Sequence, residues 1–216
     1  PLSPVATRGD QKASVSWQVP ANNGGQAIAS YVVTAVGNPG KTCAVVAPGL
    51  SCDVLGLTNG TAYSFTVVAK NSAGDSPASV ATATVTPAGL PSAVGNPSAS
   101  TADGQSVVSW TAASDNGSAI TKYVVAAMED PAKACEATAP ALSCTVPGLT
   151  NGSTYTFRVS AVNGVGTGVG TNATAVAPKG VPAAPTALSA TPGDGAVALG
   201  WTAPASNGSA ITAYTV

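Results

Sequence analysis

The chain has 216 residues, and only 8% of them are charged, with 8 Lys/Arg against 9 Asp/Glu for a net charge of −1. Cations this few and this scattered cannot line a phosphate backbone, which excludes nucleic acid as a partner class. No histidine is present, so the usual base for a Ser or Cys nucleophile and the commonest zinc ligand are both missing.

Taken in chain order, Arg8, Gly9 and Asp10 sit in a first turn. Ala13-Ser14-Val15-Ser16-Trp17 then alternates with a period of two, which predicts a strand with Val15 and Trp17 on one face. Asn23-Gly24 marks a turn, and a third strand places Tyr31, Val33 and Ala35 together. Asn59-Gly60 marks another turn before a sixth strand with Tyr63, Phe65 and Val67 inward. A Thr/Val-rich final strand over residues 79–86 ends at Pro87, and Pro87-Ala88-Gly89-Leu90-Pro91 makes a short, semi-stiff connector.

The same pattern then starts again. Trp110, Tyr123, Leu149, Tyr155 and Phe157 repeat Trp17, Tyr31, Leu57, Tyr63 and Phe65, and Trp201 with Tyr214 opens a third copy. Arg158 lies between two inward residues and is expected to face water. A second final strand over residues 171–177 leads into Pro178-Lys179-Gly180-Val181-Pro182, which matches the first connector. A period of about 90 residues is too long for a solenoid and suits a small all-β domain. The expected division is residues 1–88, 89–179 and 180–216, the last an incomplete third module whose missing strands come from continuing chain. Both ends read as cuts through a longer array. About seven short strands per copy, separated by Asn-Gly turns, predict tandem antiparallel β-sandwiches.

The 4 cysteines form two copies of one C-x₈-C pair. Three connectivities are open to them, and the repetition favours Cys43–Cys52 and Cys135–Cys144. Without histidine or further cysteine such a pair is no zinc site. Disulfides of this kind point to an oxidising compartment outside the cytosol.

These residues resemble fibronectin type III domains along the whole chain. The resemblance rests on Val15-Ser16-Trp17 and Val108-Ser109-Trp110, on the third-strand tyrosines, and on Gly56-Leu57-Thr58-Asn59-Gly60-Thr61-Ala62-Tyr63-Ser64-Phe65-Thr66-Val67 with its twin from Gly148 to Val159. That stretch resembles the family's G-L-x-P-x-T-x-Y-x-F-x-V, with Asn59 and Asn151 in place of the proline. Val68-Ala69-Lys70-Asn71-Ser72-Ala73-Gly74 is similar to the segment that leaves the family's sixth strand. The resemblance implies that Cys43 and Cys52 lie on the fourth and fifth strands, in opposite sheets. It implies that Tyr63 and Tyr155 form a tyrosine corner bonded to upstream backbone. Trp17, Tyr31, Leu57, Tyr63, Phe65, Trp110, Tyr123, Leu149, Tyr155, Phe157, Trp201 and Tyr214 are then framework. The Ala/Thr-rich style with paired cysteines resembles tandem modules of secreted bacterial proteins.

Other motifs have simpler explanations. Arg8-Gly9-Asp10 spells an adhesive tripeptide, but Asp103 and Asp194 stand at the same place in the later copies, as a turn requires. Asn59, Asn116, Asn151, Asn172 and Asn207 begin Asn-x-Ser/Thr triplets, and most are Asn-Gly turns. Glu129, Asp130 and Glu136 carry oxygen ligands of the kind calcium prefers, without a counterpart in the first copy. No catalytic constellation, cofactor or metal site is expected, and no segment has the apolar length of a membrane span. The expected function is a structural array, a stalk, spacer or fibre in an extracellular bacterial surface assembly, whose partners are further copies of the same module. The alternatives are spacer domains within a secreted polysaccharide-degrading enzyme, or adhesin modules binding a protein partner. Lateral self-association and a protein or polysaccharide ligand are the other partners to consider.

Overall fold

A computed structural model describes residues 1–216, which form strands and loops without a helix. Strands β1 (Leu2–Arg8), β2 (Lys12–Gln18) and β5 (Ser51–Leu55) make a three-stranded sheet in the order β1-β2-β5. Strands β3 (Ser30–Ala35), β4 (Asn38–Val46), β6 (Phe65–Asn71) and β7 (Gly74–Asp75) make a second, in the order β4-β3-β6-β7. The period-two alternation is what joins them. Every second residue of β2, β3 and β6 is buried, so the two inner faces meet in one core of Val15, Trp17, Tyr31, Val33, Phe65 and Val67.

Within that core the rings of Trp17 and Tyr31 are tilted, with centroids 5.3 Å apart, a favoured aromatic geometry. Burial pushes the Tyr31 hydroxyl above its ordinary pKa. The indole Nε1 of Trp17 is buried without a hydrogen-bond partner, as is that of Trp110, so ring packing must outweigh an unmade bond at both places.

The second module repeats this plan. Strands β8 (Gly95–Ala102), β9 (Gln105–Thr111) and β12 (Ser143–Val146) form the sheet β12-β9-β8. Strands β10 (Ile120–Ala127), β11 (Ala134–Thr138), β13 (Phe157–Asn163) and β14 (Thr171–Asn172) form β11-β10-β13-β14. Leu57, Tyr123, Leu149, Tyr155 and Phe157 are buried, and Arg158 is exposed. The chain is all-β, a tandem of antiparallel sandwiches.

Two expectations need correction. The sequence predicts a seventh strand of the first module over residues 79–86, yet the ladder is confined to β7 and the rest makes only the isolated bridge Tyr63–Val85. The cause is a spacing of three. The N–H groups of Ser76, Ser79, Thr82 and Val85 donate to the carbonyls of Ala69, Val67, Phe65 and Tyr63. The hydroxyls of Ser76, Ser79 and Thr82 accept from the N–H groups of Ala69, Val67 and Phe65 at 3.0, 3.0 and 3.1 Å. Contact at every third residue is the period of a polyproline II helix, not of a strand. In the second module residues 171–177 likewise contribute only Thr171–Asn172 to a ladder.

The second correction concerns Trp201 and Tyr214, assigned to a core. The segment holds one hairpin, β15 (Thr186–Gly193) with β16 (Ala196–Thr202), and no opposing sheet covers it. The two rings pair at 5.1 Å, but Tyr214 stays 40% exposed. The local geometry is still that of the earlier copies. Ser3, Asn96 and Ala187 all take positive φ, at 48, 45 and 54°, where the register of each opening hairpin shifts.

Two compact units result. One comprises Pro1–Ser92, Ser114–Ile120 and Asn163–Thr167, and the other Ala93–Ala113, Thr121–Val162 and Gly168–Val216.

Candidate functional site

Framework residues account for most of the predicted positions. Cys43 is bonded to Cys52 and Cys135 to Cys144, each bridge joining strands of opposite sheets, β4 to β5 and β11 to β12. The hydroxyl of Tyr63 accepts from the Thr58 N–H at 3.1 Å, and that of Tyr155 from the Thr150 N–H at 3.1 Å. Those donated bonds favour the phenolate and hold both tyrosines below the ordinary tyrosine pKa. The corner is a clasp spanning five residues of sequence.

What recurs beyond the framework is a joint built around each connector. In the first unit, Asn59 Nδ2 donates to Asp10 Oδ1 at 2.7 Å while Asn59 Oδ1 accepts from the Gln11 N–H at 2.9 Å. The Gly60 N–H donates to the Pro87 carbonyl at 2.9 Å, and the Ala88 N–H to the Gly9 carbonyl at 3.1 Å. A proline at position 59 could supply neither side-chain bond. The departure from the family's motif therefore has a local reason.

Next along the connector, the Gly89 N–H donates to the Asn116 carbonyl, and Asn116 Nδ2 donates to the Leu90 carbonyl, both at 2.9 Å. Asn163, buried at 6% exposure, donates from Nδ2 to the Gly89 carbonyl at 2.9 Å and to the Asp115 carbonyl at 3.0 Å. Gly89 is required by this crowding. A Cβ there would lie 2.5 Å from Asp10 Oδ1 and 3.1 Å from Asn59 Nδ2.

The second connector repeats most of these bonds within the other unit. Asn151 Nδ2 donates to Asp103 Oδ1 at 2.6 Å, and its Oδ1 accepts from the Gly104 N–H at 3.0 Å. The Gly152 N–H donates to the Pro178 carbonyl, the Gly180 N–H to the Asn207 carbonyl, and Asn207 Nδ2 to the Val181 carbonyl, each at 2.9 Å. A Cβ on Gly180 would lie 2.5 Å from Asn207 Nδ2. Two connectors of different composition, Ala88/Leu90 in one and Lys179/Val181 in the other, are thus held by matching bonds at Pro87 and Pro178, Gly89 and Gly180, and Leu90 and Val181.

The remaining sequence candidates fall elsewhere. Arg8 is exposed, Gly9 closes the turn to Lys12, and the Asp10 carboxylate is engaged by Asn59. Of the triplet asparagines, Asn59, Asn116, Asn151 and Asn207 spend their amides in the joints, and Asn172 lies in β14. Glu129 accepts the Thr156 N–H with both oxygens, a bond that lowers its pKa. Glu136 pairs with Lys122 at 2.8 Å, and Asp130 Oδ1 accepts from the Ala132 N–H, so the three acids face three separate partners. Sequence reasoning missed Asn71, Asn163 and Gly89 as a set. Their recurrence at matching positions was the available signal.

Repeated sandwiches with clasped tyrosines, bridged sheets and gripped connectors define a class: tandem β-sandwich modules of structural or adhesion type. The fibronectin type III domain model matches residues 3–85 and 92–177. The chain belongs to the fibronectin type III family, whose domains are typically non-catalytic. It is similar to fibronectin type-III domain-containing protein 3a of Gallus gallus, 31% identical over 175 residues that cover 76% of this chain and 14% of the relative's length. Two solved structures are among those it matches. The FN1–FN3 domains of chicken CNTN1 have a TM-score of 0.40 at 15% identity, covering 91% of this chain and 72% of that one. A two-domain segment of chicken tenascin has a TM-score of 0.42 at 16% identity, covering 82% and 98%. No helix is long and apolar enough to cross a membrane.

Proposed function

We propose that this chain is a non-catalytic spacer array of an extracellular, bacterial surface assembly, a stalk or fibre in which each connector is held rather than free. The observation that carries this reading is the repetition of one joint. Asp10, Asn59 and Gly89 recur as Asp103, Asn151 and Gly180, and Asn116 recurs as Asn207, with the same bonds. A flexible tether needs none of this. Two disulfides add resistance to opening and suit an oxidising compartment. The same architecture would serve equally as a spacer joining the domains of a secreted polysaccharide-degrading enzyme, which sequence on either side would decide.

NMR relaxation of the chain tests the spacer reading. Modules that tumble with one common correlation time are expected, and Gly89→Val should separate them. Independent tumbling of the unmodified modules would sink it.

A second reading, lateral packing of copies, is favoured by exposed Val46, Val80 and Val169 on a surface with little charge, where copies repel one another weakly. Sedimentation that stays monomeric at high concentration would remove it.

A further inference from the structure

We propose that the open cleft at the loop end of the first module is a socket for a Pro-x-Gly-x-Pro connector supplied by another copy of the module. This rests on the array reading and adds to it the place where a further contact falls. The cleft, about 400 Å³, lies between residues 20–28 and 69–77, with Asn22, Asn23, Gly24, Asn71 and Asp75 on its walls.

Three loops of this kind occur in the chain, and two of them hold a connector. Asn116 and Asn163 take Gly89 and Leu90, and Asn207 takes Gly180 and Val181. The loop of the first module is one residue longer, makes the same turn at Gly24 and Gly25, and stands open.

The correspondence lies in the turn and in the bonds of the loop asparagine. Gly24 and Gly25 take φ of 72 and 81°, where Asn116 and Gly117 take 52 and 84°. The Gly25 N–H donates to Asn23 Oδ1 at 2.9 Å, as the Gly117 N–H does to Asp115 Oδ1 at 3.0 Å. Asn71 Oδ1 accepts from the Ala73 N–H at 2.9 Å, as Asn163 Oδ1 does from the Val165 N–H at 2.8 Å. Asn71 Nδ2 donates to the Asn23 carbonyl at 2.8 Å, matching Asn163 Nδ2 on Asp115.

The two differ in the second bond of that amide. Asn163 gives it to the Gly89 carbonyl at 2.9 Å, whereas Asn71 reaches only the Gln26 carbonyl at 3.5 Å. An amide donor and the carbonyl of Gly24 therefore stand ready for the C=O and N–H of a connector glycine. One element of the grip is absent. Gly24 occupies the place of Asn116 and Asn207, so the clamp on the residue after that glycine is lost. The socket fits the same ligand and holds it less tightly.

The test is the full chain with a copy of residues 92–184 fused ahead of Pro1, which keeps the second connector intact. Hydrogen exchange of residues 20–28 and 69–77 is compared with that of the unextended chain. Occupied loops should exchange more slowly, by about five-fold or more. Replacing the connector by a Gly/Ser segment of equal length should abolish the slowing. Gly24→Asn should enhance the slowing in the extended chain alone, since asparagine tolerates this backbone and a Cβ there meets only Asn71 Nδ2, at 3.8 Å. Equal exchange with and without the extension, or equal slowing with the Gly/Ser segment, overturns the proposal. Gly89 serves as the internal reference. Protection there without protection at the socket overturns this proposal alone, and protection at neither overturns the array reading as well.

Discussion

The side-chain amide of Asn59 bonds the carboxylate of Asp10 at 2.7 Å, and 2.5 Å from that carboxylate is where a Cβ on Gly89 would fall. A turn of the first hairpin, a turn before the sixth strand and the connector thus meet at a single point. Asn59→Ala removes two hydrogen bonds there and should lower stability by about 1–2 kcal/mol, because each such bond contributes about 1 kcal/mol net. Urea unfolding of the chain measures it. Asn59→Pro, which restores the family's usual residue, should not recover the loss.

Gly89→Ala should act differently. The added methyl meets Asp10 and Asn59, so the connector must move while both hydrophobic cores stay as they are. The expected result is faster hydrogen exchange at Gly60 and Gly89 with little change in the unfolding midpoint of the modules. Unchanged exchange at those two amides would contradict the crowding.

The two disulfides close short loops across the sheets. Replacing Cys43 and Cys52 together by serine should cost about 2.5–3 kcal/mol on the chain-entropy account. Thermal unfolding under oxidising conditions reads the difference, and the bridge between Cys135 and Cys144 should show a similar one.

Asp53 provides a pH signature. Its carboxylate accepts from Lys12 Nζ at 2.7 Å and from the Ser14 hydroxyl at 2.6 Å, which lowers its pKa from the ordinary 3.8. A folded-state pKa below the unfolded one means the contribution is fully present above the unfolded value and is lost as pH falls through the folded value. The window lies below pH 3.8. The pair is solvent-exposed, so the effect is small and screened by salt. Comparing unfolding of the parent and Asp53→Asn at pH 7 and in that window should show the difference shrinking with acid.

Trp17→Ala should be the costliest single change, about 3–5 kcal/mol, because it empties the space against Tyr31. Tyr63→Phe should cost about 1 kcal/mol by leaving the Thr58 N–H without its acceptor. A Tyr63→Phe variant as stable as the parent would mean the ring, not the hydroxyl, carries the corner.

The framework was legible because it is written locally. Alternation shows Val15 and Trp17 on one face, and repetition of Cys43 and Cys52 marks a pair, without knowledge of any distant contact. The joint was not legible for the opposite reason. Asp10, Asn59 and Gly89 stand far apart in sequence, and each alone reads as an ordinary turn residue. Only the coincidence of Asp10 with Asp103, Asn59 with Asn151 and Asn71 with Asn163 pointed further. Residues 79–86 misled because Thr and Val favour strands, whereas hydroxyls at Ser76, Ser79 and Thr82 compete for the same N–H groups and set a period of three.

That winding by threes bears on how many modules live side by side. A bare strand at the border of a sheet invites any neighbouring border to zip onto it, and a chain of like domains keeps such neighbours permanently close. Beside β6, a segment whose amides come round only at each third residue offers no continuous template for that fusion. Crowded copies can then remain separate folding bodies, protected by three small alcohols.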